Sequence, residues 1–147
     1  LRAAGFFLAV VTNQGAVARG KCSIADVEAV HARLRALLPG LIDDIRFCPY
    51  HPKGSVPAYT REHPWRKPAP GMLREAMEKW RATPAETMMI GDDLKDLEAA
   101  RAAGVNAALV RTGKGAKVQA GGIPPHLGPI CVYDSLAHAV DQLLSRT

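Results

Sequence analysis

Apolar and polar positions change period several times along this chain. Residues 6–12 read FFLAVVT, a continuous apolar run that ends on polar residues. It is too short for a helix and rich in β-formers, so it predicts a buried parallel strand. Residues 1–4 read as the last turn of a helix, with Gly5 as a left-handed stop. Ser23 opens a helix in which Ile24, Val27, Val30, Leu34 and Leu37 recur at helical spacing, and Pro39-Gly40 closes it. A short strand follows at 45–48. Six prolines within 49–70 predict a loop. Helical spacing returns at Met72, Leu73, Ala76, Met77 and Trp80. Thr83-Pro84-Ala85-Glu86 has the pattern of a capping box around one helical turn. Strands are then predicted at 87–90, 105–110 and 130–133. A helix from Leu94 to Ala103 is closed by Gly104, and Ser135 caps a last helix to about Leu144. The Gly- and Pro-rich stretch 112–129 reads as loop.

Strands alternating with helices predict an α/β fold, a Rossmann-like parallel sheet flanked by helices with right-handed crossovers. In such sheets ligands sit beyond the carboxyl ends of the strands. Thr12 and Asp92 fall at such ends, and Lys67 lies on a loop able to reach the same rim.

Composition adds bounds. The 147 residues suit a single domain spanning 1–147. No apolar run can cross a bilayer, and the start does not resemble a signal peptide. Three widely spaced cysteines argue for reduced thiols in a cytoplasmic protein. The formal charge of +5 is dispersed. It suits an anionic small substrate, and a nucleic-acid partner is not expected. A monomer is expected. The chain lacks an initiating Met, so it reads as a fragment or the product of a late start.

Three segments carry candidate chemistry. Phosphoryl transfer needs cations and hydrogen-bond donors around the non-bridging oxygens. Thr12 offers a hydroxyl, and the turn after it offers the amides of Asn13 and Gln14; a plain strand end is the alternative. Lys67 can neutralise phosphoryl charge and Arg66 can fork onto a second anion; a solvated pair on a loop is the alternative. Asp92 and Asp93, with Asp96 a turn later, suit Mg²⁺, which takes one or two carboxylates plus water and phosphate oxygens. Helix capping accounts for one of these acids easily and for several less easily. Arg111, Lys114 and Lys117 read as part of a solvated, mobile loop.

Together TNQ…ARG, RKPAPGML and GDDLKDLEAA resemble the haloacid dehalogenase superfamily, and within it the heptose bisphosphate phosphatases, with the histidinol-phosphate phosphatases as siblings. The resemblance spans nearly the whole chain. It implies that Thr12 binds the transferring phosphoryl group, that Lys67 steadies it, and that Asp92 ligates Mg²⁺ with Asp93 adjacent. It places Arg66 on substrate phosphate, Arg19 near the substrate, and Gln14 within the first motif. The implied substrate is a small phosphorylated sugar. Family members carry a DxDG pair, the nucleophile and the general acid–base, on a central strand upstream of what is Leu1 here. The resemblance therefore implies a sheet missing its first central strand and a chain unable to perform the covalent step alone. Many relatives bind structural Zn²⁺; the matching positions here read Cys48, Tyr50, His63 and Trp65. A Cys48/His51/His63 set falls short of the usual four ligands, so zinc is not expected, and Tyr50 and Trp65 are expected to pack in its place. Other readings are a polynucleotide 3′-phosphatase and a phosphate-binding module without catalysis.

Overall fold

A computed structural model describes residues 1–145. They divide into two compact units, Leu1–Arg66 and the chain from Lys67 onward. Both are built on parallel strands, giving the Rossmann-like α/β fold.

In the first unit a single 3-10 turn, Arg2–Ala4, ends on Gly5, whose φ of 84° is left-handed as its place requires. Strand β1 (Ala9–Asn13) pairs in parallel with β2 (Asp44–Cys48), Ala9 facing Asp44 and Asn13 facing Cys48. The apolar run begins at Phe6, yet the strand begins three residues later. Asp43 explains the delay. Its carboxylate accepts the Leu8 amide at 2.7 Å and pairs with Arg2 at 3.2 Å. The ladder starts only where β2 offers a partner. Helix α1 (Ile24–Leu37) is the crossover, opened by a reciprocal capping box between Ser23 and Asp26. Only Val27 of its apolar series is buried, while Val30 and Leu37 are 66% and 60% exposed. At 3.6 residues per turn these two lie about 60° and 80° from Val27. His31 takes the inner face instead and meets the Phe47 ring edge-on at 5.3 Å.

In the second unit, helix α2 (Gly71–Trp80) buries Met72 and Leu73. The turn at Pro84–Glu86 carries the expected Thr83/Glu86 capping box. Strands β3 (Met88–Gly91), β4 (Asn106–Val110) and β5 (Cys131–Tyr133) form a parallel sheet in that order. Helix α3 (Leu94–Ala103) connects β3 to β4 and stops at Gly104, φ 76°. Strand β4 shows why the sheet is covered on both faces. Ala108 and Val110 pack with Tyr133 and with Ala139 of α5 (Leu136–Leu144). Ala107 and Leu109 point the other way, toward Leu97 of α3, Val118 and Leu127. Leu97 and Leu109 are fully buried, each contributing about 2 kcal/mol of transfer free energy.

The stretch 112–129 departs from expectation. It holds helix α4 (Gly115–Gly121) and a 3-10 turn at Pro125–Leu127. Glycines at both ends of α4 disfavour a helix locally. Tertiary anchoring prevails: Val118 joins the Leu97–Leu109 core, and the Ala116 amide bonds the Arg111 carbonyl at 3.1 Å.

Candidate active site

The carboxyl end of β1 carries Thr12, Asn13 and Gln14. The Gln14 amide donates to the Cys48 carbonyl at 2.7 Å, extending the ladder by one step. Its side-chain nitrogen donates to the Thr12 hydroxyl oxygen at 3.2 Å, so the Thr12 hydrogen is left to point at another acceptor. The chain then turns tightly through Gly15, which is buried. A Cβ there would stand 3.1 Å from Arg66 Nη1, 3.1 Å from His51 Cδ2 and 3.3 Å from Arg19 Nη1. Two guanidinium groups thus converge on one glycine, far apart in sequence but together in space. Arg66 Nη1 also donates to the Tyr50 carbonyl at 3.2 Å. Neither arginine is paired with a carboxylate among the described residues. Two uncompensated forks side by side suit an anion.

The positions that the resemblance matches to a zinc site carry an aromatic cluster. Tyr50 stacks on His63 at 4.2 Å, Trp65 meets His63 edge-on at 5.3 Å, and the Arg61 guanidinium lies 4.2 Å over the Tyr50 ring. Cys48 is fully buried, and that burial pushes its thiol above the usual range. His51 Nδ1 accepts the Lys53 amide at 2.9 Å, and His63 Nδ1 accepts the Trp65 amide at 3.1 Å. Both imidazoles therefore hold local turns.

In the second unit the organising residue is Asp96, which is 5% exposed. One of its oxygens accepts from Lys67 Nζ at 2.6 Å. The other accepts the amides of Asp92 at 3.1 Å and Asp93 at 3.0 Å. A side chain at Gly91 would collide with this carboxylate, which is why glycine ends β3. Asp93 is the N-cap of α3: one oxygen takes the Lys95 amide at 3.3 Å and the other pairs with Lys114 Nζ at 2.8 Å. The Lys114 hydrogen bond is the main reason the Asp93 carboxyl sits below its ordinary range, and the same bond raises the Lys114 ammonium. Asp92 accepts the Lys114 backbone amide on Oδ2 at 2.9 Å. Its Oδ1 has no partner among the described residues.

Capping thus accounts for Asp93 and Asp96, and Asp92 keeps one oxygen without a partner among the described residues. Among the described residues no group of three or more His, Cys, Asp or Glu could hold a metal. The donor set still fits Mg²⁺, a hard cation that binds through one or two carboxylates and completes its shell with water and phosphate oxygens.

Two participants go beyond the sequence expectations. Asp96, read from the sequence as a third acid, is the reciprocal member of a capping box, as its position three residues after the cap marks it. Lys114, expected in a solvated, mobile loop, is instead tied to both Asp92 and Asp93. Its place just past the carboxyl end of β4 was the available signal. Arg111, in the same stretch, is likewise held, by Gln119 and Asp134.

A family model described as HAD-hydrolase-like matches residues 64–139. A D-glycero-beta-D-manno-heptose-1,7-bisphosphate 7-phosphatase of Pseudomonas putida is 38% identical over 98% of this chain and 78% of its own length. The enzyme of that name from Rhodopseudomonas palustris is 42% identical over 71% of this chain, and the match spans 60% of the relative. Among solved structures, D,D-heptose 1,7-bisphosphate phosphatase from B. bronchiseptica, complexed with magnesium and phosphate, superposes with a TM-score of 0.86 at 32% identity. That match covers 100% of this chain and 79% of the other. On these likenesses the chain belongs to the HAD-like hydrolases, in the heptose bisphosphate phosphatase group.

Proposed function

We propose that this protein removes a phosphate from D-glycero-D-manno-heptose 1,7-bisphosphate in a Mg²⁺-dependent reaction, as a monomer in the cytoplasm. The observation that carries the reading is the double duty of Asp96. One carboxylate fixes the Lys67 ammonium and the two amides that aim Asp92 and Asp93. Fixed charge needs no reorganisation as the transition state forms, and that supplies most of what phosphoryl transfer asks of a protein.

The roles follow from chemistry. Lys67 neutralises charge on the transferring group. In the first unit the Thr12 hydroxyl and the Asn13 amide are donors suited to non-bridging phosphate oxygens. Arg19 and Arg66, with Gln14 fixing the turn beside them, take a further anionic group of the sugar phosphate. Asp92, with Asp93 beside it, would hold Mg²⁺, which when bound supplies Lewis-acid neutralisation of phosphate oxygens. The attacking carboxylate would be that of a DxDG pair, as the resemblance implies. Unbridged cysteines suit a reducing compartment, and no described helix is long and apolar enough to cross a membrane.

Phosphate release by the full-length gene product tests this. Lys67→Ala and Asp92→Asn should each lower kcat by about 10²–10³-fold, and chelation of Mg²⁺ should stop turnover. Full activity in either variant would contradict the assignment.

A further inference from the structure

Lys114 is joined to the acidic pair twice, by its backbone and by its side chain. The amide donates to Asp92 Oδ2 at 2.9 Å, which fixes the rotation of that carboxylate and leaves Oδ1 directed elsewhere. The ammonium lies 2.8 Å from Asp93 Oδ2. Gly113 makes the approach possible: its φ is +63°, and a Cβ there would overlap the Asp92 carboxylate. The corner of chain leaving β4 is therefore pressed against Asp92, with no room for a side chain between them.

The three acids consequently do different work. Asp96 is used internally. Asp93 spends one oxygen on the cap of α3 and the other on Lys114. Asp92 alone keeps an oxygen without a partner among the described residues. A cation arriving here meets one available carboxylate and a second whose charge is already balanced. The balancing ammonium is 71% exposed, so it is held by Asp93 rather than by packing.

We propose that Lys114 is a positioning residue for the cation site: its amide orients Asp92 as the Mg²⁺ ligand of the acidic pair and its ammonium neutralises Asp93. This rests on the Mg²⁺ reading above and goes beyond it by assigning unequal roles to the two aspartates. Held this way, the pair attracts the cation less strongly than two bare carboxylates would. That weaker attraction favours a hydrated, exchangeable Mg²⁺ that can share its shell with phosphate.

The test is direct calorimetric titration of the protein with Mg²⁺ in the absence of substrate, so no turnover is read. Lys114→Met keeps the amide and removes the charge. It should tighten Mg²⁺ binding by up to about tenfold, the effect of one unit charge roughly 6 Å from a divalent ion in water. Asp93→Asn keeps a good N-cap but leaves the ammonium unbalanced, and should weaken binding by a similar factor. The double variant should return to within about twofold of the wild type, and Lys114→Arg should match it. Opposite signs with cancellation are not what a general loss of structure produces. Shifts of the same sign in the two single variants, or no shift in either, would overturn the proposal while leaving Mg²⁺ binding intact. Calorimetric silence from the wild type and every variant would overturn the Mg²⁺ reading and this proposal together.

Discussion

Lys67 and Asp96 meet at 2.6 Å with side chains only 11% and 7% exposed. Removing the cation leaves a buried carboxylate with two amide donors and no counter-charge. Lys67→Met should therefore cost about 3 kcal/mol of stability, read as a lower urea midpoint with an unchanged slope. A second residue-scale effect concerns pH. Burial is the main cause that lowers the His31 pKa, with the Arg35 charge adding to it and Glu28 opposing. A histidine whose folded pKa is depressed contributes its full stability above the unfolded value, near 6.5, and loses it as pH falls through the folded value. The melting temperature should drop on acidification below 6.5, and His31→Gln should flatten that drop. Asp26 and Glu86, lowered by their capping partners, lose their contribution only in stronger acid, below about pH 4. At this scale Thr12 and Asp92 stand out as candidates because they fall at strand carboxyl ends, and Lys67 because it lies beside Arg66 on a proline-rich loop, all residue types suited to phosphoryl chemistry. The part played by Lys114 does not, because its partner Asp93 lies 21 positions away and no local pattern announces a contact of that range.

Elements with caps were read nearly to the residue. Helix α3 has Asp93 at its start and Gly104 at its end, and both signals are local. Helix α4 has none. It lacks a side-chain cap and is held by the core and by Lys114. Two glycines at its ends should respond oppositely to alanine. A Cβ at Gly115 would overlap the Val110 carbonyl, so Gly115→Ala should destabilise by about 1–3 kcal/mol. Nothing stands within 4 Å of a Cβ at Gly121, and Gly121→Ala should stabilise by about 0.5 kcal/mol. Equilibrium unfolding of the two variants checks both signs. The limits of β1 also escaped local reading. An apolar run sets where a strand is possible, but pairing with β2 and the grip of Asp43 on Leu8 set where it begins. In α1 the apolar spacing announced the helix, while the face that meets Phe47 carries His31 and Val30 is exposed.

At the scale of the whole molecule, both units follow one rule. Parallel strands direct their carboxyl ends, and the loops that follow them, toward chemistry. In the first unit that end gathers Thr12, Gln14 and the two guanidiniums around Gly15. In the second it gathers Asp92, Asp93 and Lys114 over the Lys67–Asp96 pair. The formal charge of +5 is consistent with an anionic substrate. The alternation of elements made the fold class legible. The proposed substrate was reached only through motif resemblance, because generic phosphate chemistry does not distinguish one sugar phosphate from another. The most direct measurement is therefore kcat/KM of the full-length gene product, with Mg²⁺, on D-glycero-D-manno-heptose 1,7-bisphosphate and on histidinol phosphate. A preference for the heptose of at least about tenfold is expected, within what differential binding of one substrate group supplies. Equal rates on the two, or faster release from histidinol phosphate, would contradict it.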